Sequence, residues 1–228
     1  FMFVAGINFS LHYKLAHGNV RRFFRDPEFR VYAAFVFAFV FLVFADVYGT
    51  VYPRVLEALR YASFQVVSIL TTTGFATADF EQWPALSQVI LFCCMFLGSM
   101  AGSTGGGIKV IRHLLFVRIL RLELEQAFHP RVVRPLRLGG EPVEDQSLRK
   151  NILVYFGLVG VIFVASWLFV LGVEPVTTWA NHDVEHKMID SISCVATTMN
   201  NVGPGLGVVG ARQNFGSFSV PSKLLFTW

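Results

Sequence analysis

Long uncharged segments recur along the chain and are separated by short charged stretches. The two longest run from Trp83 to Ile108 and from Asn151 to Val173, and further ones cover Val31–Ala45, Tyr61–Ala78 and Ser191–Ala211. A helix that crosses a membrane needs about 20 apolar residues. Because the two longest segments reach that length, the pattern predicts an all-α membrane protein.

The residues that flank these segments indicate where the helices begin and end. Asp26-Pro27-Glu28 is a typical helix start, with a capping Asp, Pro at the first position and an acid in the first turn. In the first half we predict helices over Phe29–Tyr48, Arg54–Leu70 and Leu86–Leu97, the last resuming at Ile108 and running to Glu125. In the second half we predict helices over Asn151–Val173 and Met188–Thr198, and a final one that opens at Val220-Pro221-Ser222.

The two short helices Arg54–Leu70 and Met188–Thr198 are each followed by a stretch centred on glycine. We name these stretches the first bend (Thr71–Phe75) and the second bend (Asn200–Pro204). Irregular backbone at membrane depth survives only where it is buried in protein or lines water. Main-chain carbonyls in such a turn can replace the hydration shell of an ion. Gly74 and Gly203 lie 129 residues apart in the same order of elements, which indicates an internal repeat.

A third irregular stretch, the Gly-rich loop (Gly98–Gly107), interrupts the longest uncharged segment. Three consecutive glycines, Gly105 to Gly107, cost about 1 kcal/mol each against Ala in a helix. One interpretation is close helix packing through the GxxxG spacing. The other, which also accounts for Ser103-Thr104, is a flexible loop beneath the bends that acts as a gate. We favour the gate.

Composition and charge support a membrane location and suggest an orientation. The chain has 228 residues, of which 54% are hydrophobic and 15% charged, whereas soluble domains carry about 25% charged residues. Of nineteen Lys and Arg, five lie in Lys14–Arg30 and nine in Lys109–Lys150, so these stretches are predicted to face the cytoplasm and the bends to open outward. Acidic residues flank the bends and form either a cation-attracting mouth or ordinary solvated loops: Glu57, Asp79, Glu81, Glu174, Asp183, Glu185 and Asp190.

Neither the cysteines nor the histidines indicate an enzyme. Cys93, Cys94 and Cys194 lack CxxC spacing and are predicted to be small buried hydrophobic residues without a disulfide. His182–His186 fits the HxxEH spelling of one metalloprotease class. That motif needs a helix that holds both histidines on one face, whereas this stretch reads as a solvated polar loop.

The order of the elements, taken together with three motifs, resembles the Trk/Ktr/HKT superfamily of cation transporters, in particular its bacterial TrkH/TrkG branch. The motifs are Thr72–Phe75, Gly102–Lys109 and Asn200–Gly205. The resemblance implies potassium-channel-like helix–pore loop–helix units, four in one chain, around a central pore. Residues 1–27 would then end one repeat and form a cytoplasmic connection, and residues 28–125 would form the third repeat. Residues 126–147 would be a cytoplasmic linker, and residues 148–228 an incomplete fourth repeat.

The resemblance implies potassium uptake across the cell inner membrane, with K⁺ as the transported ion and no organic cofactor. The implied filter residues are Thr72, Thr73, Gly74, Phe75, Asn201, Val202 and Gly203. The implied gate consists of Gly102, Ser103, Thr104, Gly105, Gly106 and Gly107. We expect the main-chain carbonyls of Thr72, Thr73, Asn201 and Val202 to meet K⁺. The implied partners are a second pore subunit in a homodimer, a cytosolic nucleotide-binding ring of the KTN/RCK type and membrane lipid, but no nucleic acid.

Two other functions remain open on the sequence. A secondary transporter that couples a solute to Na⁺ or H⁺, as in symport, would use broken helices with an ionisable residue near the breaks. The Gly-rich loop contains none, which disfavours this function. A structural membrane subunit would have no pathway of its own, and replacement of Gly74 would leave transport intact.

Overall fold

A computed structural model of the chain describes residues 1–128, 136–138, 141–143, 146–179 and 187–227. The HxxEH stretch His182–His186, with Asp183 and Glu185, lies outside the described residues. The helices are α1 (Met2–Ala5), α2 (Phe9–Ala16), α3 (Val20–Arg25), α4 (Pro27–Val47), α5 (Val55–Leu70), α6 (Ala85–Met95), α7 (Val110–Phe128), α8 (Gln146–Val173), α9 (Lys187–Met199) and α10 (Val220–Phe226). Two short strands, β1 (Leu136–Leu138) and β2 (Glu141–Val143), form an antiparallel hairpin.

The start of α4 confirms the helix signal in the sequence. Asp26 Oδ1 accepts hydrogen bonds from the backbone N–H groups of Glu28 and Phe29 at 2.9 and 3.0 Å, and Pro27 occupies the first helical position. These bonds satisfy donors that have no partner within the helix. The helix therefore begins two residues before the predicted Phe29.

Two of the described helices, α4 and Ser147–Val173 within α8, are long and apolar enough to cross a membrane. Only 6% of the apolar window in α8 is buried, and in α4 the side chains of Phe37 and Phe41 are exposed. Apolar surface of this extent needs a cover of lipid or of other helices. The helical fold predicted from the sequence is confirmed.

The short helix α5 is held in the middle of the largest apolar core. Its buried face repeats at helical spacing through Ala58, Ala62, Val66 and Ile69. Residues of α4, α6 and the second half of the chain complete this core: Val43, Val47, Leu91, Cys94, Met95, Ala196 and Val202. Because Ala196 lies in α9, both short helices end at the same core, and the core fixes where the two bends lie.

The basic stretch Lys14–Arg30, which was predicted to face the cytoplasm, is largely helical. It contains the end of α2, all of α3 and the start of α4. Phe23 of α3 is buried beside Tyr32 and Met100, and this apolar anchor gives the short helix a packed face. The segment thereby reaches the Gly-rich loop, to which Met100 belongs.

The structure adds a hairpin to the predicted linker and corrects one prediction about the cysteines. The linker contains the β1–β2 hairpin, with Leu138 paired to Glu141, for which the Gly-Gly dipeptide in the sequence between them was the signal. All three cysteines are free, and Cys94 and Cys194 are buried, but Cys93 is exposed. Adjacent residues of a helix point about 100° apart, so α6 turns Cys93 away from the core that buries Cys94.

Candidate functional site

The first bend begins where α5 ends. Thr71 Oγ1 donates to the carbonyl of Val67 at 2.7 Å, which occupies an acceptor at the end of the helix. Thr72 then adopts left-handed backbone with φ 53°, and Gly74 follows with φ 78°. Glycine takes this conformation freely, but a β-branched residue does so at a cost of about 1–3 kcal/mol. Thr72 is therefore a strained position.

Ser68 folds the first bend back onto α5. Its carbonyl accepts a hydrogen bond from the Thr73 N–H at 2.8 Å, and its hydroxyl donates to the carbonyl of Phe75 at 2.6 Å. One residue in the last turn of the helix thus fixes both the entry and the exit of the bend.

The second bend has the same backbone pattern, with each residue 129 positions further along the chain. The Val202 N–H donates to the carbonyl of Thr197 at 2.9 Å, and the Thr197 hydroxyl donates to the carbonyl of Pro204 at 3.0 Å. Asn201 and Gly203 adopt left-handed backbone with φ 55° and 105°. The two bends are therefore geometric equivalents, although only the glycine is common to both central positions.

The two bends touch each other. A Cβ atom built on Gly74 would lie 2.5 Å from the carbonyl oxygen of Val202, and one on Gly203 would lie 3.6 Å from the α-carbon of Gly74. A side chain at Gly74 would displace the second bend. The contact brings the backbones of both halves of the chain together.

The predicted site residues differ in exposure. Thr73, Phe75, Asn201 and Gly203 are exposed, Thr72 and Gly74 are half-buried, and Val202 is 2% exposed. Val202 therefore packs its side chain into the core while its carbonyl faces Gly74. An open cavity of about 640 Å³ is lined by Thr73, Phe75, Thr104 and residues of α1 and α2.

The Gly-rich loop lies against both bends. The Gly106 N–H donates to Thr72 Oγ1 at 2.6 Å. A Cβ on Gly106 would lie 3.2 Å from Asn201 Cβ and 3.3 Å from the Asn200 carbonyl oxygen, and one on Gly107 would lie 3.4 Å from that oxygen. The glycine triplet thus allows the loop to approach the backbone of both bends closely.

Two other residues of the predicted gate, Gly102 and Thr104, contact the N-terminal segment. The carbonyl of Gly102 accepts from the Phe9 N–H at 3.0 Å, and Thr104 Oγ1 donates to the carbonyl of Ala5 at 3.1 Å. Ser103 Oγ donates to a carbonyl within the loop. The Gly-rich loop therefore has one part against the bends and another against α1 and α2.

Two ionisable side chains reach the Gly-rich loop from outside it. Glu28, 8% exposed, accepts hydrogen bonds on Oε1 from the N–H groups of Ala101 at 2.7 Å and Ile111 at 3.2 Å. Lys109 donates from Nζ to the carbonyl of Gly105. The loop itself contains no charged residue, but Glu28 and Lys109 hold its backbone at Ala101 and Gly105.

The acidic residues that flank the bends were predicted to form either a cation-attracting mouth or solvated loops, and both alternatives are wrong for Glu174 and Asp190. Glu174 and Asp190 are 4% and 1% exposed, so neither carboxylate faces an outer opening. Glu174 accepts from the Ser219 hydroxyl at 2.6 Å, and Asp79 lies 3.7 Å from the guanidinium of Arg212. Glu174 thus serves as an internal contact, because burial without such partners is costly, whereas Asp79 pairs with a largely exposed arginine side chain.

Comparison with known proteins decides the family. A family model described as TrkH, a cation transport protein, matches residues 1–228. The chain belongs to the TrkH family. This confirms the resemblance that the sequence suggested, and it agrees with the prediction that the chain is not an enzyme.

Relatives of known sequence and structure agree. The Trk system potassium uptake protein TrkH of Escherichia coli K12 is 35% identical over 227 residues, which cover 98% of this chain and 44% of the relative. TrkG of the same strain is 26% identical over 226 residues, which cover 99% of this chain and 44% of TrkG. The crystal structure of the potassium transporter TrkH from Vibrio parahaemolyticus matches with a TM-score of 0.82 and 33% identity, over 99% of this chain and 46% of that one. The chain thus spans less than half the length of these relatives.

Three residues that hold the bends and the Gly-rich loop of this TrkH-family chain were not predicted from its sequence: Ser68, Thr197 and Glu28. Ser68 and Thr197 both carry a hydroxyl and lie 129 positions apart, as the two bends do. An alignment of the two halves of the chain with that spacing would have found them. Glu28 was read only as an acid in the first turn of a helix. Among the described residues, no group of three or more His, Cys, Asp or Glu could hold a metal ion.

Proposed function

We propose that this chain is part of a potassium uptake transporter and contributes two of the turns of its selectivity filter. The contact between Gly74 and Val202 carries this proposal, because it unites two bends of one geometry from separate halves of the chain. A filter needs oxygens of uncharged groups held in fixed positions around a dehydrated ion. Hydrogen bonds from Ser68 and Thr197 give both bends that fixity.

The filter consists of the residues predicted from the sequence: Thr72, Thr73, Gly74, Phe75, Asn201, Val202 and Gly203. K⁺ meets the main-chain carbonyls of Thr72, Thr73, Asn201 and Val202. The carbonyl of Phe75 already accepts from Ser68, so it acts chiefly as an anchor. The bends place no charged side chain at these positions, which suits weak, rapidly reversible binding of a monovalent cation.

The gate consists of Gly102 to Gly107. Its support is the position of the loop, because Gly106 and Gly107 pack under both bends and Gly102 and Thr104 contact the N-terminal segment. A glycine-rich backbone that bridges two elements can move with few side-chain rearrangements. Withdrawal of this loop from the bends would open the pathway.

We further propose how the chain is organised into repeats and how the complete protein is located, assembled and driven. The chain comprises the end of one repeat, the third repeat over residues 28–125 and most of a fourth over residues 148–228, joined by the linker. The complete protein lies in the cell inner membrane, forms a homodimer of pore subunits and binds a cytosolic nucleotide-binding ring that controls the gate. Transport follows the electrochemical gradient of K⁺.

The test is K⁺ uptake by the full-length protein in a bacterium that lacks other K⁺ uptake systems. Gly74→Ser and Gly203→Ser are compared with wild type and with Gly157→Ser, a glycine of α8 with open space around it. We expect both bend variants, but not the α8 variant, to lose uptake or discrimination against Na⁺. Wild-type uptake and discrimination in both bend variants would contradict the filter.

The same uptake assay also tests the gate and distinguishes uncoupled uptake from coupled transport. Deletion of Gly105–Gly107 is expected to raise ion flux without abolishing selectivity, and unchanged flux with the protein present in the membrane would count against the gate. Uptake that stops when Na⁺ is removed or the proton gradient is collapsed at constant membrane potential would instead support symport.

A further inference from the structure

One hydrogen bond joins the Gly-rich loop directly to the first bend. The Gly106 N–H donates to Thr72 Oγ1 at 2.6 Å, a short distance for a neutral donor and acceptor. Against the second bend the same glycine makes a close van der Waals approach, with its would-be Cβ 3.2 Å from Asn201 Cβ. The loop and the first bend are therefore connected by a bond that must break when the loop withdraws.

The identity of residue 72 is unexpected for its backbone. Thr72 has φ 53°, in the left-handed region that β-branched residues avoid. The equivalent position of the second bend, Asn201, has φ 55° and carries a residue type that tolerates this region well. A glycine or asparagine at position 72 would relieve the strain. A glycine there, however, would lack the hydroxyl that accepts the hydrogen bond from the Gly106 N–H.

We infer that Thr72 is a positioning residue that makes ion discrimination by the filter depend on where the Gly-rich loop lies. This inference rests on the proposed filter and gate. With the loop seated, the Gly106 N–H holds the Thr72 side chain and so the backbone of the first bend. When the loop withdraws, Thr72 Oγ1 loses its donor and the strained bend is free to relax. The open pathway then discriminates less well between K⁺ and Na⁺ than the seated one.

Three substitutions separate the hydroxyl from the backbone strain. Thr72→Val removes the hydroxyl and keeps the β-branched shape, Thr72→Ser keeps the hydroxyl, and Thr72→Gly removes the hydroxyl and the strain together. We expect Val and Gly to lower the K⁺/Na⁺ uptake ratio of the full-length protein by roughly threefold to tenfold, the range for one net hydrogen bond. Ser should stay within about twofold of wild type. A merely structural role predicts instead that Gly is neutral or stabilising and discriminates like wild type.

A double-mutant cycle with the loop deletion tests the coupling itself. If Thr72 acts through Gly106, then Thr72→Val has no further effect on discrimination once Gly105–Gly107 are deleted. The matched control is Thr198→Val, whose hydroxyl bonds only carbonyls of its own helix, Cys194 and Val195, among the described residues. Its effect should be the same with and without the loop.

The outcomes also separate this inference from the filter proposal. An equal effect of Thr72→Val with and without the loop, or wild-type discrimination in Thr72→Gly, would overturn the coupling. If Gly74→Ser abolishes discrimination in the same assay, the filter stands in either case. If Gly74→Ser also behaves as wild type, the filter assignment has failed as well. Size-exclusion profiles of each purified variant establish that the protein compared is folded.

Discussion

The α-carbon of Gly74 packs against the carbonyl oxygen of Val202, so closely that an added Cβ would lie 2.5 Å from that oxygen. Gly74 ends up there because α5 stops at Thr71 and Ser68 folds the bend back. Val202 is there because α9 stops at the equivalent point. Backbone atoms cannot rotate away as a side chain can, so a side chain added at this contact should have a clear effect on stability.

We predict that Gly74→Ala destabilises the full-length protein more than Gly203→Ala does. Both residues have positive φ, for which any residue with a Cβ is penalised by about 1–2 kcal/mol. Only at Gly74 does the new methyl also meet a carbonyl oxygen, whereas at Gly203 the nearest atom is 3.6 Å away. Thermal unfolding in detergent, followed by size-exclusion chromatography, measures the difference.

The control for this comparison is Gly157→Ala. Gly157 lies within α8, where an added Cβ meets no atom within 4 Å. Alanine is the better helix former by about 1 kcal/mol, so this variant should be neutral or more stable than wild type. Equal stability of the Gly74 and Gly203 variants would contradict the close contact.

A second prediction concerns Glu28, whose carboxylate joins the Gly-rich loop to the first turn of α7. Replacement by Gln keeps the shape but removes the charge from hydrogen bonds to the Ala101 and Ile111 N–H groups. Such charge-assisted bonds contribute about 1.5–3 kcal/mol. We expect faster amide hydrogen exchange at the loop and in the first turn of α7, and a lower unfolding temperature.

Asp26→Asn is the matched control for Glu28. Asp26 is a neighbouring carboxylate that caps α4, and asparagine caps a helix about as well as aspartate. This variant should leave exchange at the loop unchanged. If Asp26→Asn loosens the loop as much as Glu28→Gln, the effect comes from the start of α4 and not from the carboxylate at the loop.

Much of the fold follows from local signals, which explains why it could be predicted. Asp26 fixes the start of α4 through hydrogen bonds from the N–H groups of Glu28 and Phe29, and threonine and glycine end α5 where the helix propensity fails. By contrast, Cys93 was predicted as buried because its segment is apolar throughout. In a membrane protein an apolar segment gives no contrast between the core side and the outer side of a helix.

The partners within the site could not be predicted, because they join residues far apart in the sequence. Glu28 bonds Ala101, and Gly106 bonds Thr72, across 73 and 34 positions respectively. Hydropathy and spacing indicate which segments are helices but not which side chain meets which backbone group. Glu174 illustrates the error: its charge suggested either a cation-attracting mouth or a solvated loop, whereas the fold supplies enough donors to bury it.

A third prediction follows from the paired hydroxyls of Ser68 and Thr197. Each donates to the carbonyl that closes its own bend, so Ser68→Ala and Thr197→Val should each cost about 1 kcal/mol of stability. Both should also lower discrimination between K⁺ and Na⁺, because the carbonyls of the bend lose their fixed position. The measurements are the unfolding temperature and the uptake ratio.

Ser63→Ala provides the comparison for this pair. Ser63 lies on the same helix as Ser68, but its hydroxyl donates to the carbonyl of Arg60 within that helix. The variant should therefore leave discrimination unchanged. Loss of stability in the Ser68 and Thr197 variants with discrimination retained would show that the hydroxyls stabilise the fold without setting the geometry of the pathway.

The last prediction concerns Glu174, which joins the end of α8 to the start of α10. Burial by itself would raise the pKa of Glu174, but hydrogen bonds from Ser219, Ser222 and Thr178 together outweigh burial and lower the pKa below its ordinary value. A lowered pKa means that the ionised form stabilises the fold at neutral pH, and that this stabilisation is lost as the pH falls through the folded-state pKa. Glu174→Gln should therefore lower stability by about 1–3 kcal/mol at pH 7.

The pH dependence distinguishes this carboxylate from an ordinary polar contact. The difference in unfolding temperature between wild type and Glu174→Gln should shrink as the pH falls towards the acid range, because protonation removes the same charge from wild type. Glu57→Gln, an acid in the first turn of α5, serves as the control and should cost less at pH 7 because Glu57 is only partly buried. A difference for Glu174 that stays constant across the pH range would mean that shape rather than charge holds Ser219, and the predicted linkage would then be wrong.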